Sequence, residues 1–218
     1  MNTPKVKICC IQDADEARMA IKAGAWALGL VAEMPSGPGP LPDKQIANIL
    51  QGIPAGVETF LLTSRVEADA LIEHHAACPA TTLQLVDHVP FAELHRLREG
   101  LPGVRLVQVI HVQDEGSVEE AARVAPLVDM ILLDSGKPNA ELRTLGGTGD
   151  IHDWTLSRRI RERINIPMFL AGGLQPGNVA GAVQQVQPFG VDLCSGIRDA
   201  DGRLVPEKLH AFMQAVLG

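Results

Sequence analysis

Apolar and polar positions along the chain follow two alternating patterns. Short apolar runs, typical of strands buried on both faces, are separated by longer segments with the apolar spacing of amphipathic helices. The pattern predicts strands at residues 5–10, 25–31, 55–62, 81–86, 104–110, 128–134, 166–171 and 190–194. It predicts helical segments at residues 13–24, 41–52, 65–77, 90–100, 117–126, 154–164, 172–186 and 206–218. The chain therefore reads as about eight strand-then-helix units.

Eight units in 218 residues leave about 27 residues for each, which is near the minimum for a (β/α)8 barrel. The main alternative is a doubly wound open sheet, which should carry a glycine-rich turn after its first strand. The first turn, residues 9–15, contains no glycine. No linker or low-complexity segment interrupts the pattern. The prediction is an α/β protein, a (β/α)8 TIM barrel, with residues 1–218 forming a single domain.

Composition supports this fold and narrows the class of partner. Aromatic residues make up 3% of the chain and hydrophobic residues 46%, so the core must consist mainly of small and aliphatic side chains. The net charge of -7, without a Lys/Arg block, argues against nucleic acid and anionic membrane surfaces. No apolar run reaches the ~18 residues of a membrane span, and no secretory signal precedes the first strand. A cytoplasmic location is expected.

Two of the four cysteines, Cys9 and Cys10, are adjacent at the end of the first predicted strand. A disulfide between them is disfavoured, since neighbouring strand residues point to opposite faces and the cytosol keeps thiols reduced. A metal site is not expected either, because no C-x-x-C or H-x-x-x-H spacing occurs. Period two places Lys7 and Cys9 toward the barrel mouth and Cys10 beneath the helices. The two thiols should therefore have unrelated roles.

In a (β/α)8 barrel the active site lies at the carboxyl ends of the strands. The sixth strand ends in Asp134, and a carboxylate there implies either helix capping or chemistry. Cys9 is either a small buried hydrophobe or a base. A thiolate base and a carboxylic acid facing each other across the mouth would suit an isomerisation, in which one proton leaves carbon and another is given to oxygen.

Glycine pairs follow the last two strands, at Gly172–Gly173 and at Ser195–Gly196. Glycines let backbone N–H groups approach an anion closely, and these two loops commonly hold phosphate in such barrels. The alternative is that both are ordinary tight turns. Their joint occurrence at the two expected loops favours a phosphorylated small-molecule substrate.

Several motifs together resemble the phosphoribosylanthranilate isomerase family of tryptophan biosynthesis over nearly the whole chain. They are VKIC at Val6–Cys9, LLDS at Leu132–Ser135, GGTG with DW at Gly146–Trp154, LAGGL with NV at Leu170–Val179, and VD-x-x-SG at Val191–Gly196. The resemblance implies a (β/α)8 fold, no metal or cofactor, and an Amadori rearrangement with Cys9 as general base and Asp134 as general acid. It implies substrate and phosphate contacts at Gly147, Gly149, Gly172, Gly173, Ser195 and Gly196. Less firmly, it points to Lys7, Gln84 and Arg198. A monomer or homodimer is expected.

The sequence also departs from the family pattern at one end of the site. Gly39 stands where the family has an arginine that engages the anthranilate carboxylate, and Val86-Asp87 replaces His-Gly after the fourth strand. Cys10 replaces a glycine beside the base. Loss of a bidentate arginine contact should cost about 1.5–3 kcal/mol of binding unless Arg198 or Arg143 replaces it.

Three hypotheses follow from the motifs and the departures. The first is phosphoribosylanthranilate isomerase with an unusual carboxylate contact. The second is a paralogous isomerase acting on another phosphorylated sugar or glycosylamine, and the third is a non-catalytic barrel that binds a phosphorylated ligand. A Schiff-base aldolase would need a lysine on a central strand, and strands six and seven have none. His74 and His75, on a predicted helix, are expected to face solvent.

Overall fold

A computed structural model describes residues 3–35, 37–135 and 153–217. Eight parallel strands form a closed barrel. They are β1 (Lys5–Ile8), β2 (Ala27–Ala32), β4 (Glu58–Thr63), β5 (Thr82–Leu85), β6 (Arg105–His111), β7 (Met130–Asp134), β8 (Met168–Leu170) and β9 (Gly190–Leu193). A short additional strand, β3 (Pro40–Leu41), pairs with β2 and was not predicted. Closure occurs where β1 pairs with β2 on one side and with β9 on the other.

A helix follows each barrel strand in the described part of the chain. The helices are α1 (Ala14–Lys22), α2 (Asp43–Gln51), α3 (Ala68–Ala77), α4 (Phe91–Gly100), α5 (Glu115–Val124), α6 (Trp154–Arg163), α7 (Val179–Val186) and α8 (Pro206–Leu217). This arrangement confirms the predicted (β/α)8 barrel. No helix within residues 3–35, 37–135 or 153–217 is long and apolar enough to cross a membrane.

The buried apolar residues form two layers, as the alternation along each strand requires. The larger layer lies between strands and helices and includes Val6 and Ile8 of β1. The smaller one fills the barrel and includes Cys9, Val107 and Leu132. Val6 and Cys9 thus lie in different layers, as predicted, whereas Cys10, predicted to lie with Val6, belongs to the same layer as Cys9.

The interior of the barrel is closed at the amino-terminal end of its strands by aromatic rings. Trp26 stacks on Phe169 with ring centroids 5.8 Å apart, and Phe60 and Phe189 pack edge-on against them. Offset and edge-to-face contacts are the favoured geometries for aromatic pairs. A chain with few aromatic residues therefore concentrates four of them below the site.

Two local expectations were wrong. Helix α5 begins at Glu115 with Asp114 as its N-cap, whose carboxylate accepts the N–H of Gly116, and not at Ser117. His74 is only 2% exposed, because its ring packs between α3 and the end of β4 and hydrogen-bonds there. The helical apolar pattern could not locate this contact, since Thr63, its partner, lies on a different element.

Candidate active site

A pocket with about 680 Å³ of open space, part of it solvent at the mouth, lies at the carboxyl ends of the strands. The two residues predicted to transfer protons, Cys9 and Asp134, both line it. They extend from β1 and β7, which β8 and β9 separate. The structure therefore brings the predicted pair to one cavity from two sides of the barrel.

Cys9 lies just past β1 with its side chain inside the barrel, and its thiol is free. Its N–H donates to the carbonyl of Leu193 at 2.9 Å, which extends the β1–β9 pairing and holds the residue at the mouth. Burial raises the pKa of Cys9 to about 11, although the ammonium of Lys7 opposes this shift. At neutral pH the free protein therefore holds Cys9 as a thiol, which a base function must overcome.

Lys7 forms a buried ion pair directly below Cys9. Lys7 and Asp192 are register partners on β1 and β9, and Lys7 Nζ lies 2.9 Å from Asp192 Oδ1. Burial opposes the charged form of Lys7, but the charges of Asp192 and Cys9 outweigh it and raise the pKa of Lys7. Lys7 also lies 5.2 Å from the centroid of the Phe60 ring. Its ammonium is thus held in place as a fixed positive charge near the thiol.

Asp192 lines the pocket and is a site residue that the sequence prediction missed. Its carboxylate lies inside the barrel because Val191 and Leu193 on either side belong to the outer layer. The alternation that singled out Asp134 at the end of a buried strand applies equally to Asp192. Burial raises the pKa of Asp192, and the neighbouring Lys7 ammonium limits the shift.

Asp134 ends β7 and lies beside His111, its register partner on β6. Burial raises the pKa of the Asp134 carboxyl, while the N–H of Ser135, at 2.7 Å from Oδ1, partly offsets the effect. A raised pKa keeps more of the acid protonated near neutral pH. The electrostatics of Asp134 therefore suit a proton donor.

Cys10 contradicts the prediction that it lies beneath the helices. Its backbone has φ 63°, in the left-handed region, so the strand alternation ends at Cys9 and the Cys10 side chain returns to the pocket. There it forms a disulfide with Cys194, across 184 positions of sequence. The expectation of unbridged thiols was wrong because it considered only Cys9 with Cys10, and β9 brings a distant cysteine to the same rim.

Arg198 was expected near the mouth as a replacement for the missing arginine, and the structure places it elsewhere. Its guanidinium is buried behind the first loop, donates to both carboxylate oxygens of Glu16 at 3.0 Å, and also donates to the carbonyls of Cys9 and Cys10. Four acceptors occupy it, counting the carbonyl of Gly202 and the Glu16 carboxylate. Arg198 therefore supports the backbone of the first loop, at Cys9 and Cys10, and does not line the pocket.

The loop after β2, where the sequence departs from the family pattern, packs against the first loop, which follows β1. Gly39 has φ 76°, and a Cβ built on it would lie 2.5 Å from Gln12 Nε2 and 3.0 Å from Cys10 Cβ. Gln12 Nε2 in turn donates to the carbonyls of Cys10 and Gly39. A side chain at position 39 is thus excluded both by its backbone conformation and by the residues next to it.

The rest of that half of the pocket is apolar. Val31, Met34, Leu62 and Val86 line it, and no lysine or arginine does so among the residues that the structure describes. Gln84, predicted less firmly, does line the pocket, and its Oε1 has no hydrogen-bond partner within the described ranges. The structure provides an apolar surface with one free amide oxygen on this side.

The two predicted phosphate loops face each other across the opposite half. Gly172 and Gly173 both have positive φ, at 81° and 62°, so glycine is required there. A Cβ on Gly196 would lie well under 3.0 Å from the carbonyl oxygen of Leu174, so the two loops touch through backbone. Ser195 begins a short 3₁₀ helix and lines the pocket. Gly147, Gly149 and Arg143 lie outside the described residues.

Comparison with known proteins agrees with the geometry. Residues 91–215, more than half of the chain, match the family model for N-(5'phosphoribosyl)anthranilate (PRA) isomerase. An N-(5'-phosphoribosyl)anthranilate isomerase of Methanocella arvoryzae is 32% identical over 207 residues, which cover 93% of this chain and 95% of the relative. One of Haloferax volcanii is also 32% identical, over 97% of this chain and 92% of its own length.

Solved structures of the same enzyme have the same architecture. Phosphoribosyl anthranilate isomerase from Thermotoga maritima is 26% identical with a TM-score of 0.85, and 99% of each chain is covered. A phosphoribosyl anthranilate isomerase in complex with reduced 1-(o-carboxyphenylamino)-1-deoxyribulose 5-phosphate, 24% identical, has a TM-score of 0.82 and the same coverage. With the match of sequence motifs, pocket and fold, the chain belongs to the phosphoribosylanthranilate isomerase family.

Proposed function

We propose that the protein isomerises N-(5'-phosphoribosyl)anthranilate to its 1-deoxyribulose product by an Amadori rearrangement, with Asp134 as general acid and Cys9 as general base. The observation that carries the proposal is the convergence of these two residues on one pocket. The protonated Asp134 gives its proton to the furanose ring oxygen, and the C1–O bond breaks to leave a Schiff base. Cys9 then removes the C2 proton, and the resulting enolamine tautomerises to the ketone.

The order of these steps accounts for the high pKa of Cys9. Ring opening places a positive charge on the substrate nitrogen, which is bonded to C1, and a nearby cation favours the thiolate over the thiol. The Cys9 thiol then releases its proton to solvent, and the resulting thiolate accepts the C2 proton. Lys7 acts in the same direction from below. The thiolate would thus form fully only after the acid has acted. The empty site therefore holds the less reactive thiol.

The phosphate is assigned to the loops that contain Gly172, Gly173, Ser195 and Gly196. Positive φ at the first two and backbone contact at the last leave N–H groups accessible without a side chain over them. In this proposal the enzyme acts as one domain in the cytoplasm, as a monomer or homodimer.

A second candidate is an isomerase for a phosphoribosyl amine whose aromatic or aliphatic group carries no carboxylate. The apolar lining at Val31, Met34 and Val86, together with the engagement of Arg198 by Glu16, favours it. Such a substrate would need the same acid, base and phosphate loops. The two candidates differ only in what the apolar half of the pocket accepts.

Turnover by the purified protein tests both candidates in one experiment. Phosphoribosylanthranilate and its decarboxylated analogue, phosphoribosylaniline, are compared with wild type, Cys9→Ala and Asp134→Asn. We expect each variant to lose at least ~100-fold in kcat, as removal of acid or base catalysis does. Asp69→Asn, the same change at an exposed carboxylate on α3, serves as the matched control and should retain activity.

The ratio of kcat/KM for the two substrates decides between the candidates. A preference for the anthranilate of more than about tenfold requires a cationic partner and supports the first. A preference for the aniline supports the second. No turnover of either substrate by wild type, or full activity in Cys9→Ala, would contradict the mechanism.

A further inference from the structure

Three side chains with metal-ligating atoms converge on the outer side of the barrel, away from the pocket. Asp43 is the first residue of α2, His74 lies in the last turn of α3, and Cys78 directly follows α3. One oxygen of Asp43, one ring nitrogen of His74 and the sulfur of Cys78 all lie within 4.8 Å of one another. The catalytic proposal uses none of them.

The histidine is oriented from behind by the barrel itself. Leu62 of β4 lines the active-site pocket, so Thr63, the next residue, faces outward. Thr63 Oγ1 lies 3.1 Å from His74 Nδ1, which leaves Nε2 directed toward Asp43 Oδ1, also at 3.1 Å. Metal-binding histidines typically have their second nitrogen fixed in this way by a hydrogen bond.

The other two ligands, Cys78 and Asp43, are also positioned by neighbouring residues. The Cys78 thiol lies 3.4 Å from the carbonyl oxygen of Asp43, at the start of α2. Asp43 Oδ2 faces the guanidinium of Arg65 at 3.9 Å, so the two carboxylate oxygens point to different partners. His74 and Cys78 are buried, whereas the Asp43 side chain is 40% exposed and leaves an entry path from solvent.

We propose that Asp43, His74 and Cys78 form a site for a divalent metal ion of the zinc class, with water as the fourth ligand. Nitrogen, sulfur and oxygen donors are the set that zinc takes from proteins, and tetrahedral zinc places its ligand atoms about 3.3–3.8 Å apart. A spacing of 4.8 Å, the upper limit observed, needs a contraction of about 1–1.5 Å. The sequence predicted no metal site, because the three ligands do not form one short motif. Asp43 belongs to a different strand–helix unit from His74 and Cys78.

Charge balance is consistent with this assignment. Binding displaces the thiol proton of Cys78, so a thiolate and a carboxylate together neutralise the two charges of the ion. Arg65 remains paired with the outer oxygen of Asp43, which faces away from His74. The metal would fasten the start of α2 to the end of α3, so its role is structural.

Cobalt titration of the chelator-treated, non-reduced protein tests the proposal, because a thiolate bound to Co²⁺ gives a charge-transfer band that nitrogen and oxygen ligands do not. We expect one Co²⁺ per chain with this band, displaced by Zn²⁺. Cys78→Ser should remove the band, and His74→Gln should weaken binding at least ~10-fold, the loss that even outer-shell changes produce.

Matched variants separate this site from other thiols and histidines. Cys9→Ser alters the other free cysteine, and His75→Gln alters the adjacent histidine, so both should keep the band. Asp43→Asn, at a half-exposed position that tolerates substitution, should weaken binding without unfolding the chain. Absence of stoichiometric binding, a complex without the band, or a band that disappears in Cys9→Ser and persists in Cys78→Ser would overturn the proposal.

Discussion

The two halves of the pocket mouth differ in how their residues pack and in which groups face the pocket. The half that we propose binds phosphate, called the phosphate half and formed by residues 171–174 and 193–196, has close contacts between backbones and two glycines with positive φ. The apolar half, formed by Met34, Gly37, Pro38 and Val86, has side chains on its surface. It also has two glycines with positive φ, Gly37 and Gly39, of which Gly39 faces the first loop. The first half has glycines next to the pocket, whereas the second has methyl and thioether groups.

One half of the pocket mouth agrees with the family pattern and the other departs from it, at residues that pack against each other. Cys10 stands where the family has a glycine, and Gly39 stands where the family has an arginine. A Cβ built on Gly39 would lie 3.0 Å from Cys10 Cβ. The extra bulk at Cys10 occupies the space that a side chain at position 39 would need. The two departures therefore lie in contact with each other. Arg198 does not compensate for them, because both of its terminal nitrogens donate to acceptors behind the loop.

The Cys10–Cys194 disulfide links the two halves, and breaking it should have the largest effect. A cross-link that closes so long a loop stabilises a fold by about 2–4 kcal/mol. We expect dithiothreitol to lower the free energy of unfolding by that amount, measured by urea denaturation. KM should rise in parallel, because Cys194 directly precedes the phosphate loop.

The double variant Cys10→Ser/Cys194→Ser is the control for the reductant itself. Its stability should match that of the reduced wild type and should not change on addition of dithiothreitol. Four free thiols in the non-reduced wild type, counted under denaturing conditions, would show that the halves are not cross-linked and would remove the basis of this prediction.

The barrel was predictable because the same strand-then-helix pattern recurs along the sequence. Each unit contributes an apolar run and an amphipathic segment, so an error such as the start of α5 does not alter the architecture. Asp134 and Cys9 were located for the same reason, since period two within a strand is local. Asp192 obeys the same rule, but it lies within the predicted strand at residues 190–194 and not at its end, so the position that indicated Asp134 does not indicate it.

The remaining errors involve contacts between distant segments. The turn at Cys10 into the left-handed region, its bridge to Cys194, and the burial of Arg198 against Glu16 each depend on loops brought together by closure of the barrel. No periodicity within one segment encodes such contacts. Their physical origin is the packing of one rim loop on another, which only the assembled structure defines.

Glycine substitutions sharpen the comparison between the halves. Gly196→Ala places a methyl group against the Leu174 carbonyl, and we expect it to destabilise the fold by about 1–3 kcal/mol and to raise KM at least ~10-fold. Gly39→Ala should destabilise by about 1–2 kcal/mol through its positive φ, with little change in the affinity for inorganic phosphate as a competitive inhibitor.

Gly177→Ala is the matched control, because a Cβ there meets nothing within 4 Å. Stability and KM should both remain close to wild type. If Gly39→Ala weakens phosphate inhibition as strongly as Gly196→Ala does, the division into a phosphate half and an apolar half is wrong.

The Lys7–Asp192 pair lies below both halves, and its variants should have the smallest effect, on the pKa of the Cys9 thiol. Burial sets that pKa near 11, the Lys7 ammonium lowers it, and the Asp192 carboxylate raises it. Only the thiolate reacts with iodoacetamide, so the rate of Cys9 alkylation, followed by mass spectrometry, should rise tenfold per pH unit up to about pH 11. Lys7→Met should move this midpoint upward and Asp192→Asn downward, each by about one pH unit, equivalent to about 1.4 kcal/mol. The opposite signs distinguish electrostatic control from loosened packing, because a loosened site would expose the thiol to water and move both midpoints downward.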